Sequence, residues 1–508
     1  MDVSLKFLGG LATTENLTGS CTAIEVKRGK QTTVFLIDAG LVQGDNKNFL
    51  RNNRRILEYV EPKRIDFVIL THSHIDHIGL LPLLVSRGFR GRIVCTEQTA
   101  DLMPIMLEDS YKVQKGLACR NERRNKARAN AGSFKKRSKQ KEKVGKSRNS
   151  QPHQREQLFQ FEDVQKTLKL IYSASYGKQI KLAKGITLQF HPSGHILGGA
   201  ICTIETIDPR NKNRSRLAFS GDLGRQEGLL LLPPEKLNIP VDYWFTESTY
   251  GGKQHPSRTE EISKLFGLIA EAEKEGKRII IPSFALQRTQ ELIYLLSAAM
   301  ERNEIPRIPI NLDSPMAIAI TEVFAKYWDL GAFSNKFLLG FNPFSENTNP
   351  NLKFHRSPEE SAELMRQPAP RIIIASSGMC DAGRIRDHLR ANLGSEMAII
   401  CLVGYMAPTS LGAKLKKKPL FVQMNEDNIK IQSKIEHFES FSAHADSVEL
   451  VNYAQSVFSG NKRSLNIIIL HGETDNGKSL KDKLEERFRG RDVAILLPKL
   501  GDSMTLPL

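Results

Sequence analysis

A chain of 508 residues is long for one hydrophobic core and implies two or three domains. Its composition, 40% hydrophobic and 25% charged, is that of an ordinary globular protein, and no apolar run approaches the roughly 20 residues that span a bilayer, so no membrane partner is expected. The net charge of +17 is concentrated in one place: residues 112–155 hold sixteen Lys and Arg against two Glu, +14 of the total.

In chain order, the opening "MDVSLKFLGG" has neither a basic n-region nor an apolar h-region, so no cleaved leader is expected. Short apolar strands punctuated by glycine are predicted at 3–8, 20–26, 33–38, 66–70, 92–95, 187–191, 200–205, 216–220 and 242–246. A helix is predicted over 99–111, with Pro104 counting against it. The basic stretch that follows has few apolar residues and no helical or alternating period. It reads as a mobile insertion over 112–157, either a solvated charge run or an arm that holds a polyanion by its phosphates. Near residue 252 the pattern changes. Ser257 and Glu260 form a capping box, Ile262, Leu265, Phe266 and Ile269 an apolar stripe, and Gly276 a stop. "RIIIPS", "IPINL", "RIIIAS" and "AIICLV" then alternate with helical patterns, which predicts a parallel sheet with crossover helices. Short strands return from about residue 435. Six scattered cysteines without a CxxC spacing read as buried thiols of a reducing cytoplasm.

One cluster carries the chemistry. "THSHIDHIGLLP" begins where the buried strand "IDFVIL" ends, and it packs His72, His74, Asp76 and His77 into six positions. Side chains two apart in extended chain point the same way, so His72 and His74 can reach one point, and Asp76 and His77 a second. Imidazole and carboxylate without cysteine suit a catalytic zinc with open coordination. Further ligands must come from elsewhere. His195 in "HPSGHILGGA", Asp222 in "AFSGDLGR" and His471 in "NIIILHGETD" each sit in a glycine-rich loop at a strand end. A lone histidine is usually a satisfied polar group, but three such places in the same setting shift the balance. His437 has no such context and reads as structural. "IIIASSGM" is a strand, a small-residue turn and a helix start. There Ser376, Ser377 and the Gly378 amide could cradle a phosphate with Arg384 adding charge, although such turns also serve geometry alone. Arg288 in "ALQRTQE" is a weaker candidate of the same kind.

On these residues the chain resembles the metallo-β-lactamase fold, with Asp38 in "FLIDAG" matching that family's first motif. "TESTYGG" (Glu247), "FSAHAD" (His444) and "LHGE" (His471) resemble the markers of the β-CASP nucleases, the group that includes mRNA 3′-end endonucleases and RNase J. "IPSFALQRTQE", "LDSPMA", "ASSGMCDAGRI" and "GYMAPTSLG" resemble that group's inserted domain. The match runs almost end to end, leaves out only the basic insertion, and looks like the compact bacterial form. The resemblance implies an α/β fold: an αββα sandwich with an inserted parallel β-CASP sheet. The metallo-β-lactamase part would cover 1–250 and 435–508, and the insertion 251–434.

It also implies two Zn²⁺ per chain. His72, His74, His195 and Asp222 would hold one. Asp76, His77, His471 and the shared Asp222 would hold the other, with Asp38 organising the loop and Asp76 belonging to the catalytic set. The implied reaction is hydrolysis of single-stranded RNA to 5′-phosphate and 3′-hydroxyl ends, His444 acting as general acid and Glu247 orienting it. DNA-directed members carry Val at the last marker, and His471 therefore favours RNA. A homodimer and a cytoplasmic location are consistent with the same resemblance. The rival readings are a non-catalytic RNA-binding scaffold, a DNA-directed β-CASP nuclease and a small ester or thioester hydrolase.

Overall fold

The computed structural model describes the chain except residues 14–18, 44–47, 137–156, 209–211, 331–332, 334–338, 461–463 and 507–508, and gives only the backbone of 120–136. It divides into two compact units, Met1–Cys95 with Met103–Ser173 and Pro498–Leu508, and Thr96–Leu102 with Ala174–Leu497.

The first unit is built on a seven-stranded sheet. Its order is Ser503–Leu506, Asp2–Gly9, Cys21–Arg28, Gln31–Ile37, Phe67–Ile69, Arg92–Thr96 and Ile171–Ala174. The first four strands pair antiparallel, and the next two pairings are parallel. Phe67–Ile69 lies inside this sheet with all three residues buried, which is why its sequence is a continuous apolar run. The parallel register levels Ile37 with Ile69, so the chain leaves both strands side by side at Asp38 and Leu70.

The second unit holds two sheets. One has seven strands, in the order Val493–Leu496, Leu465–Ile469, Tyr243–Thr246, Arg214–Phe219, Ala200–Ile207, Ile186–Pro192 and Gln179–Ala183. Its last four are an antiparallel meander, while Arg214–Phe219, Tyr243–Thr246, Leu465–Ile469 and Val493–Leu496 run parallel. Trp244, Ile467 and Ile469 pack there against Leu450, Tyr453, Val457 and Leu480 of two helices, Ser447–Ser459 and Thr474–Arg487. The other sheet has six strands: Leu352–Phe354, Ile310–Leu312, Arg371–Ala375, Arg278–Pro282, Ala398–Val403 and Lys434–Phe438. Every neighbouring pair is parallel, so all carboxyl ends share one edge. The isoleucine runs predicted this sheet because its inner strands are covered on both faces.

Three expectations change. The basic stretch is not aperiodic coil throughout, because one helix, Glu97–Lys136, runs through Pro104 and on into it. Arg, Lys, Gln and Ala are strong helix formers, so propensity carries a helix there without an apolar stripe, and Pro104 removes only one N–H. The rest of the insertion, 137–156, lies outside the described residues. In the helix Arg258–Glu275, Ser257 accepts a bond from the Glu260 amide and Gly276 takes the left-handed conformation that ends it. The buried face is Leu265, Leu268, Ile269 and Ala272, rotated from the predicted stripe. Finally, Lys434–Phe438 completes the parallel sheet, so that sheet extends past the expected boundary at 434.

Candidate metal centre

In the first unit, Asp38 has φ of 59° and follows the strand Gln31–Ile37. Its Oδ1 accepts the Thr71 amide at 2.8 Å, and its Oδ2 accepts the Thr71 hydroxyl at 2.8 Å and meets His77 Nδ1 at 2.7 Å. All three residues are buried. A proton on His77 Nδ1 is therefore held by a carboxylate, and Nε2 is the atom that could bind a metal. His72 Nε2 lies 3.1 Å from His74 Nδ1, and the His72 and His77 rings are 3.9 Å apart. Backbone hydrogen bonds carry the same support: the amides of Ala39 and Leu41 donate to the carbonyls of His77 and Ile75. Gly40 is required at that close approach, since a Cβ there would sit 1.6 Å from the Asp76 carbonyl oxygen. Asp76 itself lies on the short helix Ile75–Ile78, half-buried.

In the second unit, three adjacent parallel strands deliver the donors. Asp222, Glu247 and His471 follow the carboxyl ends of Arg214–Phe219, Tyr243–Thr246 and Leu465–Ile469, where open α/β sheets present their sites. His195 comes from the loop after Ile186–Pro192. Asp222 Oδ2 lies 3.5 Å from His195 Nε2, and Oδ1 lies 3.7 Å from His471 Nε2. Both separations exceed an ordinary hydrogen bond, and each oxygen of one buried carboxylate faces a different imidazole, a donor arrangement that fits a bridging metal ligand.

Beside it is a carboxylate–imidazole pair. Both oxygens of Glu247 lie 3.2 Å from His444 Nδ1, and Glu247 also accepts the amides of Leu223 and Thr249. Ligand-type atoms of Asp222, Glu247 and His444 all fall within 4.8 Å of one another, and the His195 and His444 rings are 4.3 Å apart.

The loop bearing His444 is clamped by residues that sequence reasoning missed. His255 donates from Nε2 to the His444 carbonyl at 3.0 Å, and Arg225 donates to the Ser440 carbonyl at 2.8 Å. Glu261 takes the amides of Glu439 and Ser440 at 3.0 and 2.7 Å. Burial first, and Arg225 second, push His255 down to about 4, so it is neutral near neutral pH and donates a single N–H here. Only the position of His255, eight residues beyond Glu247, hinted at a role.

The expected phosphate cradle is built differently. Arg384 donates to Asp313 Oδ1 at 2.6 Å and to the carbonyls of His355 and Arg356, and Arg288 pairs with Glu291 at 2.6 Å in a buried position. Both guanidinium charges, expected to add to a phosphate site, also have partners inside the fold. Ser377 Oγ accepts the Ala382 amide at 3.3 Å, and Gly378 lies against Phe284. His437 bonds the Gly404 carbonyl at 3.2 Å, as a structural histidine should.

The sheets and donor sets define a metallo-β-lactamase protein with a β-CASP insertion. The metallo-beta-lactamase superfamily matches over residues 15–159, the Beta-Casp domain over 289–415, and the Zn-dependent metallo-hydrolase RNA specificity domain over 428–496. Ribonuclease TTHA0252 of Thermus thermophilus is 30% identical over 464 residues, covering 91% of this chain and 92% of that protein. The RNase J-like protein of Methanocaldococcus jannaschii is 26% identical over 475 residues, 93% of each. Cleavage and polyadenylation specificity factor subunit 3-I of Arabidopsis thaliana is 26% identical across 88% of this chain and 57% of its own length. The chain belongs to the β-CASP family of metallo-β-lactamase proteins. Among the described residues, no helix is long and apolar enough to cross a membrane.

Proposed function

We propose that this chain is a ribonuclease that uses two zinc ions to hydrolyse phosphodiester bonds of single-stranded RNA, leaving 5′-phosphate and 3′-hydroxyl ends. One observation carries the reading. Asp222, with an imidazole nitrogen facing each carboxylate oxygen, stands beside the His444–Glu247 pair, so metal ligation and proton donation converge. Family membership and relatives named as ribonucleases support RNA as the substrate.

The donors, five imidazoles and two carboxylates without a thiolate, fit catalytic zinc. His72, His74, His195 and Asp222 would hold one ion, and Asp76, His77, His471 and Asp222 the other. When bound, such a pair activates water and neutralises phosphoryl charge. The protein's own groups do the rest. Asp38 fixes the His77 tautomer. Glu247 engages Nδ1 of His444, which leaves Nε2 to give a proton to the departing 3′-oxygen, and its carboxylate balances the imidazolium. The test is a substrate panel with product mapping: 5′-labelled single-stranded RNA, the DNA of the same sequence and a thioester. Cleavage of RNA alone, to 5′-phosphate ends, is the expected result, and cleavage of the thioester alone would replace the reading.

A further inference from the structure

Three of the sequence motifs have no part in the metal chemistry, yet they end together. "IPSFALQRTQE", "ASSGMCDAGRI" and "GYMAPTSLG" leave the carboxyl ends of Arg278–Pro282, Arg371–Ala375 and Ala398–Val403, neighbours in the parallel sheet. The edge therefore presents, in order, Ser376–Gly378, Phe284 and Tyr405. The next strand, Lys434–Phe438, leads into the loop that carries His444, and the Gly404 amide bonds the Phe438 carbonyl at 3.0 Å. Four neighbouring strands at about 4.8 Å spacing make this edge about 14 Å long.

Two large aromatic rings stand open on it, Phe284 at 39% and Tyr405 at 42% exposure. Each stands two residues past the end of its strand, Phe284 after Pro282 and Tyr405 after Val403, and the two strands are paired, Ile280 with Ile400. Each has one fixed contact. Phe284 lies against the Gly378 backbone so closely that a Cβ there would meet its ring at 2.8 Å. The Tyr405 hydroxyl reaches Glu473 Oε1 at 3.4 Å, two residues beyond His471. An exposed ring gains from covering apolar area, and a nucleobase is the flat partner that a nuclease substrate brings. Such stacking tolerates any sequence but demands unpaired bases.

We propose that Phe284 and Tyr405 form a base-stacking platform along the carboxyl edge of the parallel sheet, holding unpaired nucleotides of the RNA on their way to His444. The proposal rests on the ribonuclease reading and adds to it the residues that select single strands. It is tested by the anisotropy of a labelled single-stranded oligoribonucleotide with the full chain, together with kcat and KM for its cleavage. Phe284→Ala and Tyr405→Ala each weaken binding and raise KM about fivefold or more, with kcat changed less. Phe284→Tyr and Tyr405→Phe keep wild-type binding. So does Met397→Ala, an exposed apolar residue at the opposite end of the strand Ala398–Val403. Should an alanine variant fail to fold, an abasic oligonucleotide makes the same test on the wild type, where it binds more weakly than the natural strand. Unchanged affinity in both alanine variants, or equal affinity for natural and abasic strands, overturns the platform. A wild type that binds RNA through these rings but cuts none sinks the ribonuclease reading alone, and one that binds no single-stranded RNA sinks both.

Discussion

At the scale of single residues, the site is a set of carboxylates that each orient an imidazole. Asp38 fixes His77, and Glu247 fixes His444. In the proposed mechanism the first pair serves metal binding and the second proton transfer. His444→Ala should therefore keep full metal content and RNA affinity while cleavage falls on the order of 10²–10⁴-fold. Near-normal turnover in that variant would remove His444 from the reaction. The donor residues were legible in the sequence because their chemistry is local: a histidine or aspartate in a glycine-rich loop just past an apolar strand. The clamp on the His444 loop was not, since His255 and His444 are 189 residues apart and nothing in either neighbourhood announces the other. The pairing of Arg384 was hidden for the same reason. Its partner Asp313 is 71 positions away and fully buried, and a sequence displays a charge without its counter-charge.

At the scale of elements, Asp313 ties the end of the strand Ile310–Leu312 to two helices, Pro358–Arg366 and Ile385–Asn392. It receives Ser361 Oγ, Arg384 Nη1 and His388 Nε2, each at 2.6 Å. Burial alone would raise its pKa, but hydrogen bonds from His388, Ser361 and Arg384 outweigh that and hold it below the usual carboxylate range. A depressed carboxylate stabilises the fold fully above its unfolded pKa of about 3.9, and that stability is lost as pH falls through the lower folded value. Denaturant midpoints measured against pH should show it. Asp313→Ala loses about 3–5 kcal/mol at pH 7, where it leaves Arg384 without its counter-charge and His388 without its hydrogen-bond partner, and its stability falls less steeply in acid. Equal acid slopes in variant and wild type would contradict this. The isoleucine strands of this sheet could be read directly because both faces are covered. The hairpin Phe421–Met424 with Asp427–Lys430 could not, because each strand has only four residues and none of Asp427–Lys430 is fully buried. Asn425, at φ 55° in the turn, is its one local signal.

At the scale of the whole molecule, charge and chemistry are separated along the chain. Outside the basic stretch the protein is nearly neutral, so long-range attraction for a polyanion has one main source. Changing Lys135, Lys136, Arg137, Lys139, Lys141 and Lys143 to Gln should lower RNA affinity at low salt and flatten its dependence on salt, by a slope of about 0.7 for each phosphate no longer neutralised. Catalysis at saturating RNA should persist. An unchanged slope would make the stretch a bystander. The central claim is narrower: the two donor sets act through a shared pair of metal ions. The direct measurement is RNA cleavage by chain stripped with a chelator and then titrated with Zn²⁺, with bound metal counted in parallel. The account predicts no cleavage without metal and full recovery as occupancy approaches two ions per chain. Undiminished cleavage by the stripped protein would contradict it.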